Sequence, residues 1–76
     1  MATFEAGERL YTIGYNMACK PVVVRVVFTR MNEDGRVVAR RGTVSVIGGP
    51  PEEYFRDRKD AVAYGQAKYG SRFGMR

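Results

Sequence analysis

The stretch that decides the fold is residues 21–47, PVVVRVVFTRMNEDGRVVARRGTVSVI. In its first part, Val22, Val24, Val26 and Phe28 fall on one face, and Val23, Arg25, Val27 and Thr29 on the other. A period of two, rich in β-branched residues, is what a half-buried antiparallel strand requires, and it argues against a helix. Pro21 is tolerated at the first position of such a strand. Asn32-Glu33-Asp34-Gly35 reads as a hairpin turn, because Asn and Asp bond to their own backbone and Gly accepts positive φ. The return strand covers residues 36–47, with Gly42 in its middle. A glycine inside a strand marks a bulge or a sharp bend. The strand is therefore expected to bend at Gly42 and run on into a second sheet, as small barrels turn their corners. Val44 and Val46 then face inward beside Val38, with Thr43 and Ser45 outward.

Before this hairpin, residues 8–15 (ERLYTIGY) read as a first strand bracketed by Gly7 and Gly14, and residues 16–20 (NMACK) as a loop. Residues 1–7 are expected to fray, with Phe4 tucked in. After it, Gly48-Gly49-Pro50-Pro51 is a firm break. Two readings follow. In one, residues 53–56 form a short edge strand and a helix starts with Asp57 as N-cap and Asp60 at N3. In the other, Pro51 is the first residue of a longer helix, with Glu52 and Glu53 in its first turn. Both make residues 58–69 helical, with Gly70 as the stop and a narrow apolar stripe of Ala61, Val62, Gly65 and Tyr69. The whole is read as one domain over residues 1–76, ordered from about 7 to 70, with a basic tail at 71–76 that is expected to be loose. The expected core is Ile13, Val22, Val24, Val26, Phe28, Val38, Val44, Val46, Val62 and Tyr69.

Composition bounds function. The chain has 76 residues, 13 Lys plus Arg, 8 Asp plus Glu and no His, for a net charge of +5. A chain of this size buries only ~60% of its unfolded surface, and it has no room for a two-lobed active site. Without His there is no imidazole base and no Ser-His or Cys-His pair. Cys19 is the single cysteine, so it forms no disulfide within the chain and no zinc knuckle. The carboxylates come as Glu33-Asp34 in the turn and Glu52-Glu53 after the break. Both pairs are placed where water solvates them, whereas a catalytic pair needs one carboxyl desolvated. Gly48-Gly49-Pro50-Pro51 lacks the Lys-Ser/Thr ending of a phosphate loop. The expectation is a non-enzymatic protein with no cofactor and no bound metal. No secretory signal and no apolar run of the ~20 residues that span a bilayer is visible, so a cytoplasmic protein without membrane contact is expected.

The positive signal is the arginine of the hairpin. Ten of the thirteen bases are Arg, which clamps phosphates and stacks on flat rings. Between Lys20 and Ile47 the only acids are Glu33 and Asp34, at the turn. The hairpin body carries Lys20, Arg25, Arg30, Arg36, Arg40 and Arg41. Facing outward, these form a cationic surface that attracts nucleic-acid backbone by counterion release. Tyr11 and Tyr15 are candidates for base stacking beside it; Phe28 shares a face with Val22, Val24 and Val26 and belongs to the core. An acidic host-protein surface is the alternative partner. A homo-oligomer built on residues 22–31 as an exposed edge is a further possibility.

The order of elements resembles the small SH3-like barrels of short phage and mobile-element proteins. The residues that carry the resemblance are Gly7-Glu8-Arg9-Leu10-Tyr11, the hairpin around Asn32 to Gly35, and Tyr54-Phe55 followed by a helix holding Ala61 and Val62. It covers residues 7–69. The resemblance implies a module that binds nucleic acid or attaches to a host or virion protein, as an inhibitor or adaptor. The helix is longer than the turn such barrels carry. The expected class is thus α+β, as a small antiparallel sheet or an SH3-like barrel with one C-terminal helix; an open three-stranded sheet covered by that helix is the fallback.

Overall fold

The computed structural model describes residues 4–74. Four antiparallel strands form one sheet in sequence order: β1 (Arg9–Tyr15), β2 (Pro21–Met31), β3 (Val37–Arg41) and β4 (Val44–Ile47). A 3-10 turn at Pro51–Glu53 leads to α1 (Arg58–Tyr69), and a second 3-10 turn covers Gly70–Arg72. The small α+β class expected from the alternation is what forms. The sheet does not close into a barrel. Beyond β4, an isolated bridge joins β1 to residue 55, with Tyr11 N–H to Phe55 O at 2.7 Å and Phe55 N–H to Tyr11 O at 2.8 Å. The expected edge strand at 53–56 is thus reduced to one residue.

The second half of the hairpin corrects the bend expected at Gly42. The chain reverses there through the Gly42-Thr43 turn, and β4 pairs back on β3 with Arg41 opposite Val44 and Ala39 opposite Val46. Gly42 has φ +64, and Cys19 is the only non-glycine of positive φ among the described residues. Gly with positive φ followed by a residue of negative φ is the pattern of a type II′ hairpin turn, whose twist matches that of the strands. Because β4 ends the sheet and no layer covers it, Val44, Val46 and Ile47 are 60%, 52% and 55% exposed. The inward placement of Val44 and Val46 is therefore wrong. The expected free edge at residues 22–31 is wrong too: β2 lies between β1 and β3 with both sides paired.

The register assigns the faces. One face carries Leu10, Val26, Phe28, Val37 and Ala39, the buried core cluster, with Phe4, Val24 and Tyr54 packed against it. Phe4 lies on Phe28 with ring centroids 5.5 Å apart, as its tucked-in placement required. The opposite face receives α1. Tyr15 meets Tyr69 edge to face at 6.4 Å, and Phe55 meets Tyr64 at 5.4 Å. The helix presents Ala61 and Gly65, one turn apart, as its buried residues; Val62 and Tyr69, expected in the core, are half-buried, as are Ile13, Val22 and Val24. Asp57 occupies the N-cap position but makes no side-chain capping bond. The tail is not loose over its described part: Phe73 is buried and Gly74 N–H donates to Pro21 O at 2.8 Å. Met75 and Arg76 lie outside the described residues.

Candidate functional site

Paired residues in an antiparallel ladder point to the same face. Arg9 stands opposite Val27, Val27 opposite Arg40, and Arg40 opposite Ser45. Arg25 stands opposite Tyr11. Arg9, Arg25 and Arg40 therefore share the helix-bearing face, near the start of α1. Strict alternation would put Arg30 on the other face, beside Phe28. The register shift between Phe28 and Arg30 sets Arg30 opposite Val38, on the face of Arg25 and Arg40. A bulge inserts one residue and re-aims the side chains beyond it. Arg30 thus joins the band because the ladder slips by one.

Neighbouring strands are about 4.8 Å apart and residues two apart on one strand about 7 Å. The band of Arg9, Arg25, Arg30 and Arg40 therefore spans distances comparable to several 3.4 Å steps of a nucleic-acid strand. All four are exposed. Arg58, at the first residue of α1, lines an open cleft with Tyr11, Val23 and Arg25. No carboxylate of the described residues lies within 4.0 Å of Arg9, Arg25, Arg30, Arg40 or Arg58. Arg30 makes one long bond, from Nη1 to Met31 O at 3.4 Å. Asp57 and Asp60 sit at the helix start, where they complement the helix dipole. Arg9 and Arg58 were not among the site residues expected from the sequence; the odd parity that Arg9 shares with Tyr11 and Arg25 is the signal that would have placed Arg9 there.

Two of the expected site residues do not belong to this band. Arg41, adjacent to Arg40, must point to the opposite face. It lines a cavity of about 240 Å³ on the face of the core cluster, together with Thr12, Gly14, Val24, Ala39 and Tyr54. Its Nη1 would lie 3.8 Å from a methyl group at Gly14, so the guanidinium reaches across the sheet to β1. Arg36 lies in the turn segment before β3, exposed, with its carbonyl taken by Asn32 N–H at 2.7 Å. Tyr15 is not a free platform either. Its hydroxyl lies 3.2 Å from that of Tyr69, and this hydrogen bond, with some burial, raises the Tyr69 phenol above its ordinary value. Tyr11 is half-buried beside Arg25 and Arg58.

The remaining titrating groups hold structure together. Glu8 accepts a bond from Glu5 N–H at 3.0 Å and pairs with Arg56, whose guanidinium lies over the Phe4 ring at 5.0 Å. The Glu5 amide first and Arg56 second hold the Glu8 carboxyl below its usual range. Lys68 donates to the Tyr64 hydroxyl at 3.3 Å, and that bond raises the ammonium's pKa. Burial raises the Tyr54 phenol. No helix among the described residues is long and apolar enough to cross a membrane. No family model matches the chain, no curated protein matches it, and no solved structure does.

Proposed function

We propose that this protein is a non-enzymatic module that contacts nucleic-acid backbone through Arg9, Arg25, Arg30 and Arg40 of the helix-bearing sheet face, with Arg58 and Tyr11 at its margin. The observation that carries the reading is the gathering of four arginines on one face with no carboxylate partner among the described residues. Unpaired guanidinium groups keep their capacity for bidentate phosphate contacts. Binding of this kind is governed by counterion release and is sequence-tolerant. Arg36 and Arg41, though basic, take no part in it.

The test is fluorescence anisotropy with a short duplex and a single strand over a salt series starting at about 50 mM. For a band of four arginines, the slope of log K against log salt is expected near −3 to −4, at about −0.9 per duplex phosphate neutralised. Reversal of Arg25, Arg30 and Arg40 to Glu is expected to abolish binding, while Arg41→Glu leaves it nearly intact. Unchanged binding by the triple variant, or no binding of either oligonucleotide at low salt, overturns the reading. In the second case an acidic protein surface becomes the partner to test.

A further inference from the structure

Among the described residues, the outer edge of β4 has no partner. β4 is the last strand of the sheet, and no residue from 43 to 47 makes a backbone bond to a described residue outside the β3–β4 ladder. The closing pair of a two-residue hairpin exchanges hydrogen bonds, and such pairs alternate along the ladder. Arg41 with Val44 and Ala39 with Val46 are therefore the bonded pairs. Gly48 N–H to Val37 O at 2.8 Å continues the same series. It follows that the N–H and C=O groups of Ser45 and Ile47 point outward, to the open edge.

Exposed edges in monomeric proteins are blunted by shortness, charge, proline or bulges. β4 is short, at four residues, but has no charge, proline or bulge. Residues 42–51 carry no charge in a chain of net +5, and three of the strand's four residues are exposed Val44, Val46 and Ile47. These side chains lie on both faces of the sheet: Val44 and Val46 pair with Arg41 and Ala39, Ile47 with Val38. A body docking on one face would leave the other apolar group in water. A strand added in the plane of the sheet covers both.

We infer that β4 is the self-association edge of this protein, pairing antiparallel with β4 of a second copy about a two-fold axis at Ser45. The occupant is a second copy because the strand is complementary to itself. A two-fold axis normal to the sheet requires that residues of like parity face each other. Centred on Ser45, it sets the two Ser45 residues against each other, where their outward groups exchange both hydrogen bonds. Val44 of each copy then meets Val46 of the other on the face of the core cluster. Ile47 meets Thr43 on the helix-bearing face. No charged residue opposes its like along the edge. Arg40, the nearest base on its face, stands three strand spacings from its counterpart, about 14 Å, beyond the screening length of ~8 Å at physiological salt. The resulting sheet keeps the arginine bands of both copies on one side. That consequence adds to the proposed function, but the pairing does not rest on it.

The edge is short, and the pairing buries far less than the ~1,200 Å² of a stable interface. Association in the range of about 10 µM to 1 mM is expected. The experiment is sedimentation equilibrium of the full chain without nucleic acid, with reductant present so that exposed Cys19 cannot cross-link. The mass is expected to rise with concentration from 8.6 kDa toward twice that value. Hydrogen exchange at the Ser45 and Ile47 amides is expected to slow at least several-fold at high concentration. Ser45→Pro removes an outward N–H, which an edge strand tolerates, and is expected to hold the protein monomeric. Val46→Lys, at a half-exposed site, does the same by charge if the proline variant fails to fold. Monomer mass throughout overturns the inference, whatever the nucleic-acid result. So does a dimer whose Ser45 and Ile47 amides exchange as fast as in the monomer, or one that both variants leave intact.

Discussion

The ring of Phe73 occupies the space that a side chain at Gly65 would need, so the last residues of the described chain are locked against the middle of α1. A methyl group at Gly65 would overlap the ring. Gly65→Ala gains about 1 kcal/mol of helix propensity, but overpacking costs about 1–3 kcal/mol, and the net is expected to be a loss. Phe73→Ala removes a buried ring and is expected to cost about 3 kcal/mol, the low end for such truncations. Urea denaturation of the two variants checks both. A gain in midpoint for Gly65→Ala would show that the ring moves aside freely.

Gly42 holds the β3–β4 turn at φ +64 with open space where a Cβ would sit. The cost of a side chain there is conformational and not steric. Gly42→Ala is expected to destabilise by about 1–2 kcal/mol, with faster amide exchange confined to β3 and β4. Gly35, at φ +79 in the β2–β3 turn, is expected to respond alike but to loosen the tip of β2. Equal exchange rates in variant and parent would refute the assignment of Gly42 to the turn.

The Glu5 amide and Arg56 lower the Glu8 carboxyl below its ordinary 4.5. A group whose pKa falls on folding contributes stability that is fully present above its unfolded value and is lost as pH falls through the folded one. The acid limb of stability below about pH 4.5 is therefore expected to flatten in Glu8→Gln, with little change in its pH dependence from 6 to 8. Thermal melts of the two proteins between pH 2 and 8 measure it. Parallel acid limbs would mean that this contact forms equally in the unfolded chain.

At the other end of the scale, Tyr69 is raised by its bond to Tyr15, and Tyr54 by burial. Raised groups add stability below the unfolded pKa, and it is lost as pH rises through the folded one. Stability is expected to decline above about pH 10, as these phenols ionise. Tyr15→Phe should bring the Tyr69 transition down and leave that of Tyr54 in place. Ultraviolet titration of the tyrosinates, compared between parent and variant, reads both. A Tyr69 transition that does not move would exclude the Tyr15 hydroxyl as its cause.

The strand Pro21–Met31 was legible end to end, because its signal is local: alternation, β-branching and a proline at the start. The turn at Asn32 to Gly35, the Asp57 boundary and α1 were legible for the same reason. Gly42 was not. A glycine of positive φ suits a bulge and a hairpin turn equally, and the choice depends on whether residues 44–47 find β3 across the turn. The core was read at Val26, Phe28 and Val38 and missed at Leu10, Val37 and Ala39. Those positions depend on which face of each strand the neighbouring strand selects. Phe73 was missed because nothing in residues 70–74 shows that Gly65 leaves a gap for it.

The amino-acid sequence by itself determined that this is a small basic α+β chain without imidazole chemistry, and that its hairpin carries arginine in place of acid. Only the tertiary structure decided how those arginines are grouped. Arg40 and Arg41 are neighbours in the chain, yet the pleat sends them to opposite faces. Arg25 and Arg30 differ in parity, yet the slip between Phe28 and Arg30 brings them to one face. Side-chain type is a local property and can be read residue by residue. Which side chains stand together depends on register, and register is set by pairing between segments distant in the chain.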